Sequence, residues 1–320
     1  MAKVVISARS VRECPAALAL LREAGHDLVL SQADKPLSED EMAALIPGAA
    51  ALIAGNDAVT AKVIEAGLPD LKIIARNGVG YNNIDVAAAR DHGIAVTVTP
   101  GGNSVSVAEL AWGLMLALAR RIPWLDRSVR AGSWARATGC ELAGKTLGII
   151  GLGAIGREVA KRAAAFDMTV AAYDVKPDEE FAHRYGIKYL PLPDLLAQAD
   201  FVSLHAPALP STRGLINRDT LALMKPTAFL INTARGDLVV EDDLYQALAE
   251  KRIAGAGLDA FSEEPFRDSR FFGLENVILT PHAGAHTKEA VDKVSIMAAE
   301  EVIRVLAGQP PRYPVRELSS

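Results

Sequence analysis

Thr146-Leu147-Gly148-Ile149-Ile150-Gly151-Leu152-Gly153-Ala154-Ile155-Gly156-Arg157-Glu158-Val159-Ala160-Lys161-Arg162 is the stretch whose reading decides the fold. It opens with an apolar run that reads as a buried strand, passes through G-x-G-x-x-G and continues at helical spacing. In this setting each glycine has a task. Gly151 permits the tight turn, Gly153 lets backbone approach a pyrophosphate, and Gly156 lets helix pack on strand. The helix N-terminus, with the amides of Ala154 and Ile155, offers unpaired N–H groups and a positive dipole end to phosphates. The next strand ends at Tyr173-Asp174, and 174 − 156 gives 18 residues from the last glycine to an acid. A carboxylate there suits the adenosine ribose hydroxyls and repels the extra phosphate of NADP, so NAD is the expected cofactor. Lys176 stands close enough to leave some NADP tolerance open.

Outward from this stretch the chain alternates strand and helix almost throughout, which predicts α/β layers with parallel sheets. Toward the N-terminus the pattern predicts strands at 4–8, 28–30, 51–54, 73–75 and 94–97, with helices at 15–24, 61–66 and 85–92. A turn, Thr99-Pro100-Gly101-Gly102-Asn103, then opens one long apolar helix running through Arg121. Toward the C-terminus, strands are predicted at 146–150, 169–173, 201–204, 229–232, 255–258 and 277–279, followed by a helix at 288–307. The strand at Phe201 runs into His205-Ala206-Pro207, where the proline stops the ladder. The acidic trio Asp178-Glu179-Glu180 reads as a solvated face.

Composition narrows the function. The 320 residues suffice for two domains, and 34 basic against 39 acidic residues give a formal net charge of -5. A nucleic-acid partner, which needs a basic face, is not expected. The apolar run from Leu110 to Ala119 is about half of what a bilayer needs and reads as a buried helix, so no membrane partner is expected. The N-terminus lacks the apolar run of a signal peptide. Cys14 and Cys140 are far apart and in no metal-like spacing; no metal site is predicted, and a reducing, cytoplasmic setting fits.

Three polar clusters follow strands of the second run: Asn232-Thr233-Ala234-Arg235-Gly236, Asp259-Ala260-Phe261-Ser262-Glu263-Glu264-Pro265 and Thr280-Pro281-His282-Ala283-Gly284. Ligands of a doubly wound sheet lie beyond the carboxyl ends of its strands, so all three face the cofactor side. Reduction of a 2-oxo acid needs a cation for the carboxylate and the polarised carbonyl, and Arg235 offers a rigid fork of donors. It needs a proton for the developing alkoxide, which a histidine supplies in the right range; His282 is the candidate. Glu264 is the carboxylate expected to orient that imidazole. Thr233, Ala234 and Gly284 are expected beside the cofactor, as are His205 and Pro207, with His205 structural or cofactor-adjacent rather than catalytic.

These residues resemble the D-2-hydroxyacid dehydrogenases, within them the D-3-phosphoglycerate dehydrogenase-like branch, from about Ala51 to Ala307. The most specific matches are Ala75-Arg76-Asn77-Gly78-Val79-Gly80-Tyr81-Asn82-Asn83-Ile84-Asp85, the glycine stretch with the preceding Gly144-Lys145, Asn232 to Gly236, and Pro281 to Gly284. The resemblance implies an NAD-dependent oxidoreductase of two Rossmann-like, doubly wound parallel-sheet domains. The nucleotide domain (100–285) would be inserted into a substrate domain made of 1–99 and 286–320. It implies Arg235, Glu264 and His282 as the catalytic set, and Asp259 as holder of the nicotinamide carboxamide. The amides of Val79 and Gly80 would receive the substrate carboxylate, with Asn77, Gly78, Arg76 and Asn103 lining the substrate site. It also implies a homodimer joined through the apolar helix after Asn103, although a helix buried within its own chain would show the same all-round apolarity.

One departure bears on the substrate. Phosphoglycerate dehydrogenases carry basic residues near the end of the third strand, where this chain has Ile53-Ala54-Gly55-Asn56-Asp57-Ala58. That stretch lacks a cation and adds an acid. Arg76 and Arg136 stay at matching positions, so 3-phosphoglycerate oxidation remains open beside reduction of unphosphorylated acids such as glyoxylate or hydroxypyruvate. Since the sequence ends at Ser320, regulatory domains and serine feedback are not expected. Two further readings are an NAD(H)-sensing binding protein, disfavoured by the intact Arg235, Glu264 and His282, and formate oxidation, disfavoured because Glu264 stands where a glutamine would be required.

Overall fold

The computed structural model describes residues 1–315, which fold as two compact units. The first comprises Met1–Asn103 and the C-terminal segment from His286; the second is Ser104–Ala285.

In the first unit, β1 (Lys3–Ile6), β2 (Asp27–Leu30), β3 (Ala51–Ala54), β4 (Ile73–Arg76) and β5 (Ala95–Thr97) form a parallel sheet in the order β2-β1-β3-β4-β5. Period-two alternation sends neighbours to opposite faces. Val5, Leu52 and Ile74 pack on one face with Met42, Val63 and Ile64. Val4, Ile53 and Ile73 pack on the other with Leu21, Ala298 and Val302. Both faces are therefore covered, which explains strands that read as unbroken apolar runs.

The second unit holds seven strands: β6 (Thr146–Ile150), β7 (Thr169–Tyr173), β8 (Lys188–Tyr189), β9 (Phe201–Leu204), β10 (Phe229–Asn232), β11 (Gly255–Leu258) and β12 (Val277–Leu279). They lie in the order β12-β11-β10-β9-β6-β7-β8, and every pair is parallel. The order reverses between β6 and β9, so the loops after these two strands flank the crevice where a doubly wound sheet takes its ligand.

Two features depart from the sequence reading. The two-residue strand β8 was not anticipated, because so short a segment has no period to read. The apolar helix ends earlier: it spans Ser104–Ala119, Arg121 turns into the left-handed region at φ 53°, and a second helix runs over Ile122–Arg130. Pro123 near the start of that second helix suits its first turn, where an N–H has no acceptor. The first helix buries Ala111, Trp112, Leu114, Met115 and Leu118 in its own unit's core, with the Trp112 ring stacked on Phe166. It is a core helix. The following helix buries no residue, and Ile122, Val129 and Trp134 are exposed. No helix among the described residues is long and apolar enough to cross a membrane.

Candidate active site

The glycine turn is built as its spacing requires. Gly151 has φ 93°, and a Cβ there would lie 2.6 Å from the Ala206 amide nitrogen, so only glycine lets the β6 loop meet the β9 loop. A Cβ on Gly156 would fall 2.2 Å from the Gly151 carbonyl oxygen, which seats the helix Ala154–Ala163 on its strand. Gly153 faces open space. It is the N-cap residue and provides no side-chain cap, so the first-turn amides of Ala154 and Ile155 stay available to an anion. The Asp174 carboxylate closes the turn from the adjacent strand, accepting from the Leu152 and Lys176 amides at 2.7 and 2.9 Å.

Beyond β9, His205 is half-buried, with its Nδ1 closed off from solvent. Its Nε2 pairs with the Ser203 hydroxyl at 2.8 Å, and its Nδ1 is buried without a partner among the described residues. Burial pushes its pKa down to about 3, so the ring is neutral. Pro207 is exposed, its carbonyl accepting from the Thr212 hydroxyl. The Thr233 hydroxyl, beyond β10, is likewise buried and unpartnered. Orphaned polar atoms at two strand ends, beside an open glycine and free helix amides, fit a dinucleotide.

Beyond β10, buried Asn232 shapes the turn that carries Arg235. Its side chain accepts from the Ala234 amide at 3.1 Å and donates to the Arg235 carbonyl at 2.9 Å. The Arg235 guanidinium is largely withdrawn from water, which lowers its pKa, and the nearby Glu264 carboxylate opposes that shift. One Nη donates to the Ala234 carbonyl at 2.6 Å; Nε and the other Nη have no protein acceptor among the described residues. They remain for a ligand anion. Gly236 abuts the loop beyond β11 so closely that a Cβ would sit 1.8 Å from the Phe261 carbonyl carbon. That contact sets the Arg235 loop against the Glu264 loop.

Glu264 accepts from the Phe261 amide at 3.1 Å, and its two carboxylate oxygens each lie 2.9 Å from Nδ1 of His282. With Nδ1–H given to Glu264, Nε2 is the atom presented for proton transfer. Stacked Phe261 and Phe266, with Phe271 edge-on to Phe266, brace the loop from beneath.

His282 itself has φ 51°, a left-handed conformation uncommon for a residue with a Cβ. Asp259 holds it there. This carboxylate, 1% exposed, accepts from the Thr280 hydroxyl at 2.6 Å, the Ala283 amide at 2.7 Å and the Gly284 amide at 2.9 Å. A carboxylate has about four acceptor positions, so one position remains unused, while the other three tie the turn around His282. The packing roles of Asn232, Gly236, Asp259 and Phe261 were not evident in the sequence. The only local hint was an Asn at a strand end, a residue prone to bond its own backbone two residues on.

The first unit places its substrate candidates at the ends of its own strands. Gly78 has φ 140°, and the amides of Val79 and Gly80 have no acceptor among the described residues. Arg76 is occupied by this loop: Nε donates to the Gly80 carbonyl at 2.7 Å, Nη1 to the Asn77 carbonyl, and Nη2 to the Asn56 side chain at 2.6 Å. Asn77 bonds the Ser10 hydroxyl through Nδ2 at 2.5 Å, leaving Oδ1 buried without a partner, as is Oδ1 of Asn103. Asp57, read as an added acid near the substrate, is 2% exposed and internally bonded. It accepts from the Ser7 hydroxyl, the Gly55 amide and the Leu37 amide at 2.6, 2.9 and 2.8 Å. It is a brace between loops, not a surface charge. Arg136 is exposed in an irregular segment of the second unit.

Residues 112–284 match the family model described as D-isomer specific 2-hydroxyacid dehydrogenase, NAD binding domain. A D-3-phosphoglycerate dehydrogenase of Methanocaldococcus jannaschii is 46% identical over 85% of this chain and 53% of its own length. The chain thus spans about half the length of the phosphoglycerate dehydrogenases it matches. A hydroxypyruvate reductase of Thermotoga maritima is 45% identical over 84% of this chain and 89% of its own. Among solved structures, a glyoxylate reductase from Paecilomyes thermophila superposes with a TM-score of 0.88 at 30% identity, covering 99% of this chain and 98% of that one. With the NAD-binding domain matched and relatives this similar, the chain belongs to the D-isomer specific 2-hydroxyacid dehydrogenase family.

Proposed function

We propose that this chain is an NAD-dependent oxidoreductase that interconverts a small 2-oxo acid and the D-2-hydroxy acid. The observation that carries the reading is the His282–Glu264 pair at 2.9 Å, with the Arg235 guanidinium beside it, in the unit that holds the open glycine turn. The bound nicotinamide cofactor would supply or accept a hydride at C2. Its pyrophosphate would lie on the amides of Ala154 and Ile155, its ribose at Asp174, and its polar groups at Thr233, His205 and Asp259.

The protein's own part is binding and proton transfer. Arg235 draws charge toward the carbonyl oxygen through its unengaged donors, in a site withdrawn from water where such a contact is strong. His282 gives its Nε2 proton to the developing alkoxide, and Glu264 stabilises the imidazolium and fixes the ring. The free amides of Val79 and Gly80 are assigned to the substrate carboxylate.

An unphosphorylated substrate is favoured. Arg76, one of the two cations at positions matching a phosphate site, is engaged by two loop carbonyls and Asn56. Purified protein with NADH should reduce glyoxylate or hydroxypyruvate at a higher kcat/KM than 3-phosphohydroxypyruvate. No NADH oxidation with any 2-oxo acid would refute the activity; preference for the phosphorylated acid would refute this substrate class. The apolar helix after Asn103 is assigned to a homodimer contact, which sedimentation would test. The free thiols of Cys14 and Cys140 suit a reducing cytoplasm.

A further inference from the structure

The cofactor helix carries a cation that does not serve the phosphates. Arg157 follows the last glycine of the turn, and its guanidinium is turned toward the loop after β7. Nη2 pairs with Asp178 at 2.7 Å, Nε donates to the Leu152 carbonyl at 3.1 Å, and the group lies 5.0 Å above the Phe181 ring. The amide of the same Leu152 is held by Asp174 at 2.7 Å. The two ends of one residue's backbone are thus gripped by Arg157 and by the acid assigned to the adenosine ribose. Both side chains are anchored on one residue of the glycine turn, Leu152.

Building on the assignment of the second unit as the NAD site, we propose that Asp178 sets cofactor choice together with Asp174. Asp174 repels a 2′-phosphate, and Asp178 holds Arg157, the cation that would otherwise bind it. Both members of the pair are about one-third exposed, with side-chain exposures of 39% and 32%. An ion pair of that kind is weak. Once the Asp178 charge is removed, a phosphate dianion would find the released guanidinium a bidentate partner. Asp178, one acid of the Asp178-Glu179-Glu180 trio expected on a solvated face, thereby has a specific task. It also caps the helix Glu179–Tyr185, accepting from the Phe181 amide at 3.0 Å.

The cap dictates the test. Asp178→Asn removes the charge and keeps a good capping side chain; Asp178→Ser does the same with a smaller one. Dissociation constants for NADH and NADPH would be measured by fluorescence titration in the wild type, Asp174→Ser, Asp178→Asn, Asp178→Ser, each double variant, and the Asp174→Ser/Asp178→Asn protein with Arg157→Gln added. NADH affinity should change less than about threefold in Asp178→Asn. NADPH affinity of each double variant should exceed the product of the single effects by about tenfold, the scale of one charge-assisted contact. Arg157→Gln should abolish that excess. Additive gains, or a gain that survives Arg157→Gln, would overturn the proposal while leaving the NAD site intact. A wild type that binds neither cofactor would overturn both.

Discussion

Nδ1 of His282 lies 2.9 Å from both carboxylate oxygens of Glu264, so the imidazole is clamped in one orientation by a partner 18 residues away in the chain. The clamp leaves Nε2 as the proton donor of the proposed reaction. Replacing His282 with Ala should lower kcat by about 10²–10⁴-fold with NADH binding nearly unchanged. Glu264→Gln keeps a hydrogen-bonding group but removes the charge. It should lower kcat by about 10–100-fold, the equivalent of one hydrogen bond to a charged group. Steady-state kinetics beside a direct cofactor titration separates these outcomes from general damage. Near-wild-type kcat in either variant would remove that residue from the mechanism.

At Arg235, too, charge and shape can be parted. Lys keeps the cation and loses the fork, so Arg235→Lys should still lower kcat/KM by roughly 10²-fold, with both kcat and KM affected. Arg235→Ala should lose more. Equal activity of the Lys variant would mean that charge alone is used.

Gly236 tests how the Arg235 and Glu264 loops are joined. A Cβ there would overlap the Phe261–Ser262 backbone at 1.8–2.2 Å, and backbone cannot swing aside as a side-chain tip can. Gly236→Ala should cost about 1–3 kcal/mol of stability and reduce kcat through displacement of Glu264. Thermal unfolding and turnover measured on the same preparation check both. A fully active, fully stable variant would show that the loops are not held by this contact.

Much of the architecture was legible because its signals are local. The stretch 146–162 carries an apolar strand, three spaced glycines and a helical run in immediate succession. The juxtaposition of Arg235, Glu264 and His282 was legible for another reason: each lies in a loop that follows a readable strand, and parallel strands align their ends on one side. What escaped reading depends on contacts distant in sequence. Asp259 and its amide partners are separated by 24 and 25 residues, and nothing near Asp259 indicates that it folds a turn beyond the next strand. Asp57 misled for the same reason. Its charge was visible, while its three internal donors, from Ser7, Gly55 and Leu37, were not. The break at Arg121 was hidden because apolar residues on both sides keep a helical rhythm, and only Pro123 hints at the new start.

His205 gives a pH-dependent signature in stability. Its folded pKa of about 3 lies below the value near 6.5 of an unfolded chain. Between these values the unfolded chain binds a proton that the folded one refuses, so stability rises with pH in this window and is lost as pH falls from about 6.5 toward 3. A His205→Gln variant lacks that titration. Urea unfolding at pH 7 and pH 4.5 should show the wild type losing about 1–2 kcal/mol more than the variant, less than an ideal buried group because the residue keeps some surface. Parallel losses would mean that the ring is protonated within the fold.

Asp259 has two assignments that kinetics can separate. If its main task is the carboxamide of the cofactor, Asp259→Asn should weaken NADH binding and alter discrimination against a cofactor whose carboxamide is changed, such as thio-NADH. If its main task is the turn, the damage falls on proton transfer instead. The geometry favours the turn, because three hydrogen bonds from Thr280, Ala283 and Gly284 enclose a His282 held at φ 51°. Asn has one acceptor oxygen where Asp has two, so at least one of the two amides would lose its partner, at a cost of about 1–3 kcal/mol. The turn would then relax toward a conformation easier for a residue with a Cβ, carrying the imidazole away from Glu264. Asp259→Asn is therefore expected to lower kcat at least tenfold, with the NADH/thio-NADH affinity ratio of the wild type retained. A changed ratio with kcat preserved would reverse the assignment and make the remaining acceptor position of this carboxylate its important one.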